Sequence, residues 1–235
     1  MLVAFVAVSI VAFAGCSKDD INNNNANNGG DGGGNVPAGW VDLGLPSGLL
    51  WAECNVGATA PEEYGDYFAW AETEPKEVYN WNTYRYCTVD AGGMLSTLTK
   101  YNSFTGLGAV DNLTTLESVD DAATARMDSC ARTPTKEEWE ELINNTTAEW
   151  TTVNNVHGRK FTASTGNSIF LPAAGWREEA TLIEAGSGGY YWSASADTGD
   201  YLVNAWGFGF RSDYQSMGPG ASRNFGMSVR AVRSK

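Results

Sequence analysis

Histidine occurs once in this chain, at His157. A lone imidazole beside Gly158, with no cysteine or acid at a recognisable spacing, excludes the common zinc sites and a histidine-based triad and predicts a surface residue near a turn. Basic residues are also scarce, 15 Lys and Arg against 28 Asp and Glu, for a formal charge of -13. Nucleic acid is thereby excluded as a partner, because affinity for phosphates grows with clustered cations and no basic run occurs. Anionic lipid headgroups are disfavoured for the same reason, so membrane attachment has to come from something covalent or inserted. Long apolar runs are missing as well. The longest, Leu2 to Ala14, falls short of the roughly 20 residues of a membrane-spanning helix and has the length of a signal-peptide h-region. The Gly-rich run Gly186 to Gly189 lacks the following helix and Lys of a phosphate-binding loop, and no EF-hand spacing of acids is present. No catalytic residue, metal or cofactor is therefore expected.

What is present begins with that apolar run, which ends at Phe13-Ala14-Gly15-Cys16. Small residues before a cysteine resemble the lipobox of bacterial lipoproteins, which implies cleavage after residue 15 and lipidation of Cys16. Signal peptides open with Lys or Arg, whereas Met1 is followed directly by apolar residues, so the expectation is a true start upstream. Residues 16–38 are rich in Asn and Gly, have no apolar period and predict a flexible tether. Their Lys18-Asp19-Asp20 patch resembles the export signal of surface-exposed lipoproteins in the Bacteroidota, which implies display outside the outer membrane. With 43% hydrophobic and 12% aromatic residues, the remaining 39–235 has enough material for one domain with a substantial core.

Within that domain, periodicity predicts short strands and little helix. Trp40 to Leu45 and Leu49 to Ala52 alternate around Pro46-Ser47-Gly48, and Tyr67 to Ala71 reads as a further strand. Glu72 to Tyr86 reads as a long loop holding packed Trp and Tyr. Asp120 to Met127 suggests a short helix. Thr135 followed by Glu138 is a capping box, and Trp139, Leu142 and Ile143 share one face of the helix it starts. Arg159 to Ser164 and Ser168 to Leu171 flank the turn Thr165-Gly166-Asn167, and Pro172 is expected to end the second strand.

The C-terminal stretch carries the functional signal. Tyr190 to Ala194, Ala205 to Phe210 and Met227 to Val232 read as strands. Between them, Asp197 to Asn204 and Arg211 to Asn224 are rich in Gly, Ser, Asp, Asn, Tyr and Arg, residues suited to adaptable contacts. In Ala205 to Arg211 successive side chains point to opposite faces, which sends Trp206, Phe208 and Phe210 to a core and leaves Gly207, Gly209 and Arg211 on an open face. Tyr201, Asn204, Arg211, Asp213, Tyr214 and Arg223 are the side chains expected to surround that face and contact a ligand.

Several blocks occur in an order that is specific when taken together: WVDLGLPSGLLWAECNVGATAPEEYGDYFAWAETEPK, LTKYN, DDAATA, RTPTKEEWEELIN, NSIFLPAAGWR, GYYWSAS and SVRAVR. They resemble the Fibrobacter succinogenes major paralogous domain family, abundant in lipoproteins of gut Bacteroidota, over Gly39 to the C-terminus. The resemblance implies a C-type-lectin-like fold: α+β, short antiparallel strands with one or two helices and long loops. In such a fold the chain ends meet, so Trp40 to Leu45 is expected to pair with Met227 to Val232, with the capped helix beneath the sheet. One departure is Cys130-Ala131-Arg132, where members commonly have an aromatic-Arg pair. Arg132 to Glu140 is also similar to the helix start of the formylglycine-generating enzymes, which need a pair of reactive cysteines in their C-terminal part. This chain has no Cys after Cys130, so that activity is not expected. The Glu-Pro-Asn and Gln-Pro-Asp motifs of calcium-dependent sugar-binding C-type lectins are missing too. Beyond Cys16, three cysteines remain, enough for one disulfide at most. Cys54 with Cys87 is the preferred pair, both lying in the aromatic N-terminal half.

Three functions are compatible with these readings. The leading one is a non-enzymatic surface module binding a protein or glycan ligand through its C-terminal loops. Such a display surface also resembles the variable proteins of diversity-generating retroelements, for which a neighbouring reverse transcriptase and a near-copy of the codons for residues 190 to 230 would be decisive. The second is a surface carbohydrate-active enzyme, which needs two opposed carboxylates that no spacing selects. The third is a structural or adhesion subunit.

Overall fold

The structure, a computed structural model, describes residues 36–218 and 221–235. The expected signal peptide, most of the expected tether and Cys16 lie outside the described residues. Strand β1 (Trp40–Asp42) turns back through Pro46 to Gly48 into β2 (Leu50–Asn55), with Gly48 at φ 71° and its N–H donating to Leu45 O at 2.9 Å. Glu72 to Tyr86 is irregular, as expected, with Tyr79 and Tyr84 buried in it. The hairpin β3 (Cys87–Val89) and β4 (Leu95–Leu98) follows. Asp121 then caps α1 (Ala122–Arg126), within the helix expected there.

The capping box at α2 (Lys136–Asn145) is complete: Glu138 N–H donates to Thr135 Oγ1 at 3.3 Å and Thr135 N–H to Glu138 Oε2 at 2.8 Å. Thr135→Ala is expected to cost about 1 kcal/mol in urea unfolding, because one donor of the first turn loses its acceptor. An unchanged midpoint would mean that tertiary packing alone holds the helix start. From Thr146 the chain runs directly into β5 (Thr146–Val153), β6 (Val156–Ala163) and β7 (Ser168–Pro172). Gly166, at φ 87°, makes the β6–β7 turn, and Pro172 is the last residue of β7. Then come β8 (Trp176–Glu178), β9 (Thr181–Ile183), β10 (Gly188–Ala196), β11 (Ala205–Arg211), β12 (Gln215–Gly218) and β13 (Arg230–Arg233).

These strands form three antiparallel three-stranded sheets, β1-β2-β13, β5-β6-β7 and β10-β11-β12, beside the hairpins β3-β4 and β8-β9. The fold is mainly antiparallel β with few helices. Helix α2 joins two of the sheets. Trp139 meets Trp51 of β2 edge-on at 5.0 Å and stacks on Phe208 of β11 at 5.0 Å, while its indole N–H donates to Trp192 O at 3.2 Å.

Five expectations need correction. The first and last strands of the described residues share one sheet, but β1 does not pair with β13: the tight turn at Pro46 to Gly48 folds β2 onto β1 first, and β13 takes the other edge of β2, with Val232 opposite Trp51. Tyr67 to Ala71 is not a strand, because its backbone partners change within three residues. Phe68 exchanges bonds with Met227, Trp70 N–H turns to Arg223 O, and Ala71 adopts φ 65°. Arg211 to Asn224 is not one loop, since Arg211 N–H donates to Tyr214 O and the resulting hairpin makes β12. Of the three aromatics assigned to the core, Phe208 and Phe210 are fully buried, whereas Trp206 is half-buried under Lys136, whose Nζ lies 3.8 Å from the indole centroid. Cys54 and Cys87 are both free, because one sits on β2 of the terminal sheet and the other on the β3–β4 hairpin, where its thiol donates to Trp81 O at 3.2 Å.

Candidate functional site

Cross-strand partners share a face of an antiparallel sheet, so register decides what lies beside the glycines of β11. Gly188 opposes Arg211, Tyr190 and Ser216 flank Gly209, and Trp192 and Gly218 flank Gly207. The open face expected from the alternation is thus one end charged and the other bare backbone. A trough of about 390 Å³ lies over it, within the range of small-ligand sites. Its floor is uncovered at Gly209, where a Cβ would meet only the Tyr190 ring at 3.4 Å, whereas Gly207 is buried, with Met227 Cε 3.1 Å and Tyr191 O 3.2 Å from the place of its Cβ. Trp176 and Phe225, with rings 4.7 Å apart, form an aromatic wall, and Met227 and Ala221 close the glycine end.

The other end is polar. Arg211 Nε donates to Glu184 Oε2 at 3.0 Å and its Nη2 donates to Glu184 Oε1. Tyr190 OH donates to the same carboxylate, and the guanidinium lies 5.7 Å over the Tyr214 ring. The Tyr190 hydroxyl does most to hold the Glu184 carboxyl below its usual range, partial burial opposes this, and Arg211 adds to the lowering. Arg211 stays charged, its pKa raised first by Glu184. Glu184 itself sits at φ 58°, a left-handed conformation that costs a non-glycine residue energy and concentrates at functional sites. The Ile183 to Gly188 turn holds it there, through bonds from Ser187 and Gly188 N–H to Glu184 O at 3.0 Å each.

Two of the six expected ligand contacts, Arg211 and Tyr214, line the trough. Tyr201 is 56% exposed on a turn that does not line it, and Asp213, at the β11–β12 turn, is exposed outside it as well. Asn204 is half-buried, pairs through its backbone with Ser222 and accepts from Arg223 Nε at 3.0 Å. Arg223 corrects the expectation most sharply, being only 1% exposed. Its guanidinium also donates to Tyr101 O at 2.9 Å and stacks 4.9 Å over Trp70, so it ties the 197–204 segment to the core and reaches no ligand. Glu184, Trp176, Tyr190 and Phe225 were not anticipated. The one local hint for Glu184 is its place in a Gly-rich turn, and nothing nearby in sequence points to its partner on β11.

His157 is exposed on β6, stacked on Trp150 at 5.9 Å and bonded to Thr152 Oγ1 at 2.9 Å, a surface residue as expected. Among the described residues no group of three or more His, Cys, Asp or Glu is placed to hold a metal ion. A family model described as a domain of unknown function (DUF8237) matches residues 142–232. That range runs from α2 to β13 and contains every described residue that lines the trough. No curated protein and no solved structure matches the chain.

Proposed function

We propose that this chain is a non-enzymatic ligand-binding module of C-type-lectin-like fold, displayed on the outer membrane by a lipid at Cys16, and that its site is the trough on β11. Support for the fold comes from the first and last described strands lying in one sheet with the capped helix packed under it. The observation that carries the binding reading is the bare glycine floor between an aromatic wall and a charged pair, since natural cores fill such space unless something is meant to enter. A hydrolase is less well supported. Glu184 is the only carboxylate among the described lining residues, it is committed to Arg211, and its lowered pKa is opposite to what a general acid needs.

A glycan and protein array on the soluble domain tests the reading. Replacing Arg211 and Tyr214 together with Ala is expected to abolish any binding seen, with little change in melting temperature, whereas Tyr201→Ala is expected to bind as the wild type does. Binding that survives the double substitution would move the site elsewhere. Display is tested on intact cells by protease accessibility. Cys16→Ala is expected to release the protein from the membrane, and a variant that stays bound and shielded would end the lipoprotein reading.

A further inference from the structure

We infer that the trough receives a neutral, hydroxyl-bearing ring, the terminal pyranose of a glycan, an inference that rests on the binding reading and adds the ligand class. The charged end is electrically balanced. Glu184 offers carboxylate acceptors, Arg211 offers donors with Nη1 free of any protein partner among the described residues, and the Tyr214 hydroxyl can do both, whereas the O–H of Tyr190 is already given to Glu184. An anionic group reaching Arg211 would be repelled by Glu184 beside it, and a cationic one reaching Glu184 by Arg211. A hydroxyl meets neither difficulty, because it donates to the carboxylate while accepting from the guanidinium. The overall charge of -13 adds to the case against anions, and a neutral ligand does not feel it.

The rest of the trough matches the other side of such a ring. Trp176, Tyr190 and Phe225 present aromatic surface, and Gly209 lets a flat body lie against backbone. A pyranose has a C–H face for these surfaces and hydroxyls along its rim for the Glu184 end, so it leaves few polar groups unpaired on burial. The outer edge of β12, which pairs with no strand among the described residues, suits an extended peptide, but a peptide side chain entering the trough uses either its apolar end or its polar end, not both.

The test uses the soluble domain against three immobilised sets: neutral oligosaccharides ending in glucose, galactose, mannose or N-acetylglucosamine; the same chains ending in a uronic or sialic acid; and a random peptide library. Two variants accompany the wild type. Gly209→Val fills the floor, and since a Cβ there makes only ordinary contact and valine suits a strand, its melting temperature should be kept. Glu184→Gln keeps the shape but unbalances the charge. The expected result is binding to the neutral set, lost in Gly209→Val and weakened roughly tenfold to hundredfold in Glu184→Gln. The same Glu184→Gln variant should shift its preference toward the acidic set, because Arg211 is released. Preference of the wild type for acidic glycans or for peptides, lost in Gly209→Val, would overturn the ligand class and leave the trough as the site. Neutral-glycan binding that survives Gly209→Val would overturn the trough itself, and no binding to any set would overturn the ligand class.

Discussion

Phe208→Ala is expected to lower the unfolding free energy by about 3 to 5 kcal/mol, the cost of truncating a fully buried aromatic whose surroundings relax only in part. Phe208 is fully buried and is the point where α2, β6 and β11 meet. Its ring stacks on Trp139 at 5.0 Å and lies 5.8 Å from Phe161 and 5.6 Å from Phe210. Removing it opens a void among rings held by separate elements, none of which can move in alone. Urea denaturation with an unchanged slope is the measurement. Trp206→Ala is the internal comparison, because a half-buried ring under Lys136 should cost much less. Equal losses at the two positions would mean that the side-to-side distinction along β11 has no energetic weight.

Arg230→Met is expected to cost a similar amount, about 3 to 5 kcal/mol, for a different reason. Arg230 is fully buried on β13, with Nε and Nη2 donating to Asn55 Oδ1 at 3.0 and 2.8 Å, Nη1 to Ala52 O at 2.9 Å and Nη2 to Phe170 O at 3.0 Å. One guanidinium therefore bonds β2 and β7 from β13. A methionine fills most of the volume but leaves these acceptors buried and unpaired, each at about 1 to 3 kcal/mol. Arg230→Lys retains the charge, but a compact ammonium cannot span Asn55, Ala52 and Phe170 at once, so a partial loss is expected. If Arg230→Met unfolds at the wild-type urea concentration, the guanidinium is not the tie that its geometry describes.

What proved legible in the sequence was decided over a few residues. The start of α2 needs only Thr135 and Glu138 to find each other across one turn, and both ends of that bond lie within the motif. The β6–β7 hairpin depends on Gly166 reaching positive φ, a property of the residue itself. Strand β12 escaped notice because Gln-Ser-Met-Gly carries no β-branched or alternating signal, and only the edge of β11 makes it a strand. Arg223 misled for a related reason. An Arg in a polar loop reads as exposed, and its burial depends on Trp70 and the carbonyl of Tyr101, both more than a hundred residues away.

The sequence by itself determined that β11 has two unlike faces, because a strand repeats every second residue and Gly207, Gly209 and Arg211 therefore share one side. Only the tertiary structure decided what stands over that face. Glu184 comes from a turn before β10, Trp176 from β8 and Phe225 from the segment before β13, and each is brought there by sheet register and turn geometry, not by spacing along the chain. The physical reason is range: backbone period and capping are local properties, whereas an ion pair such as Glu184 with Arg211 exists only after distant strands have paired.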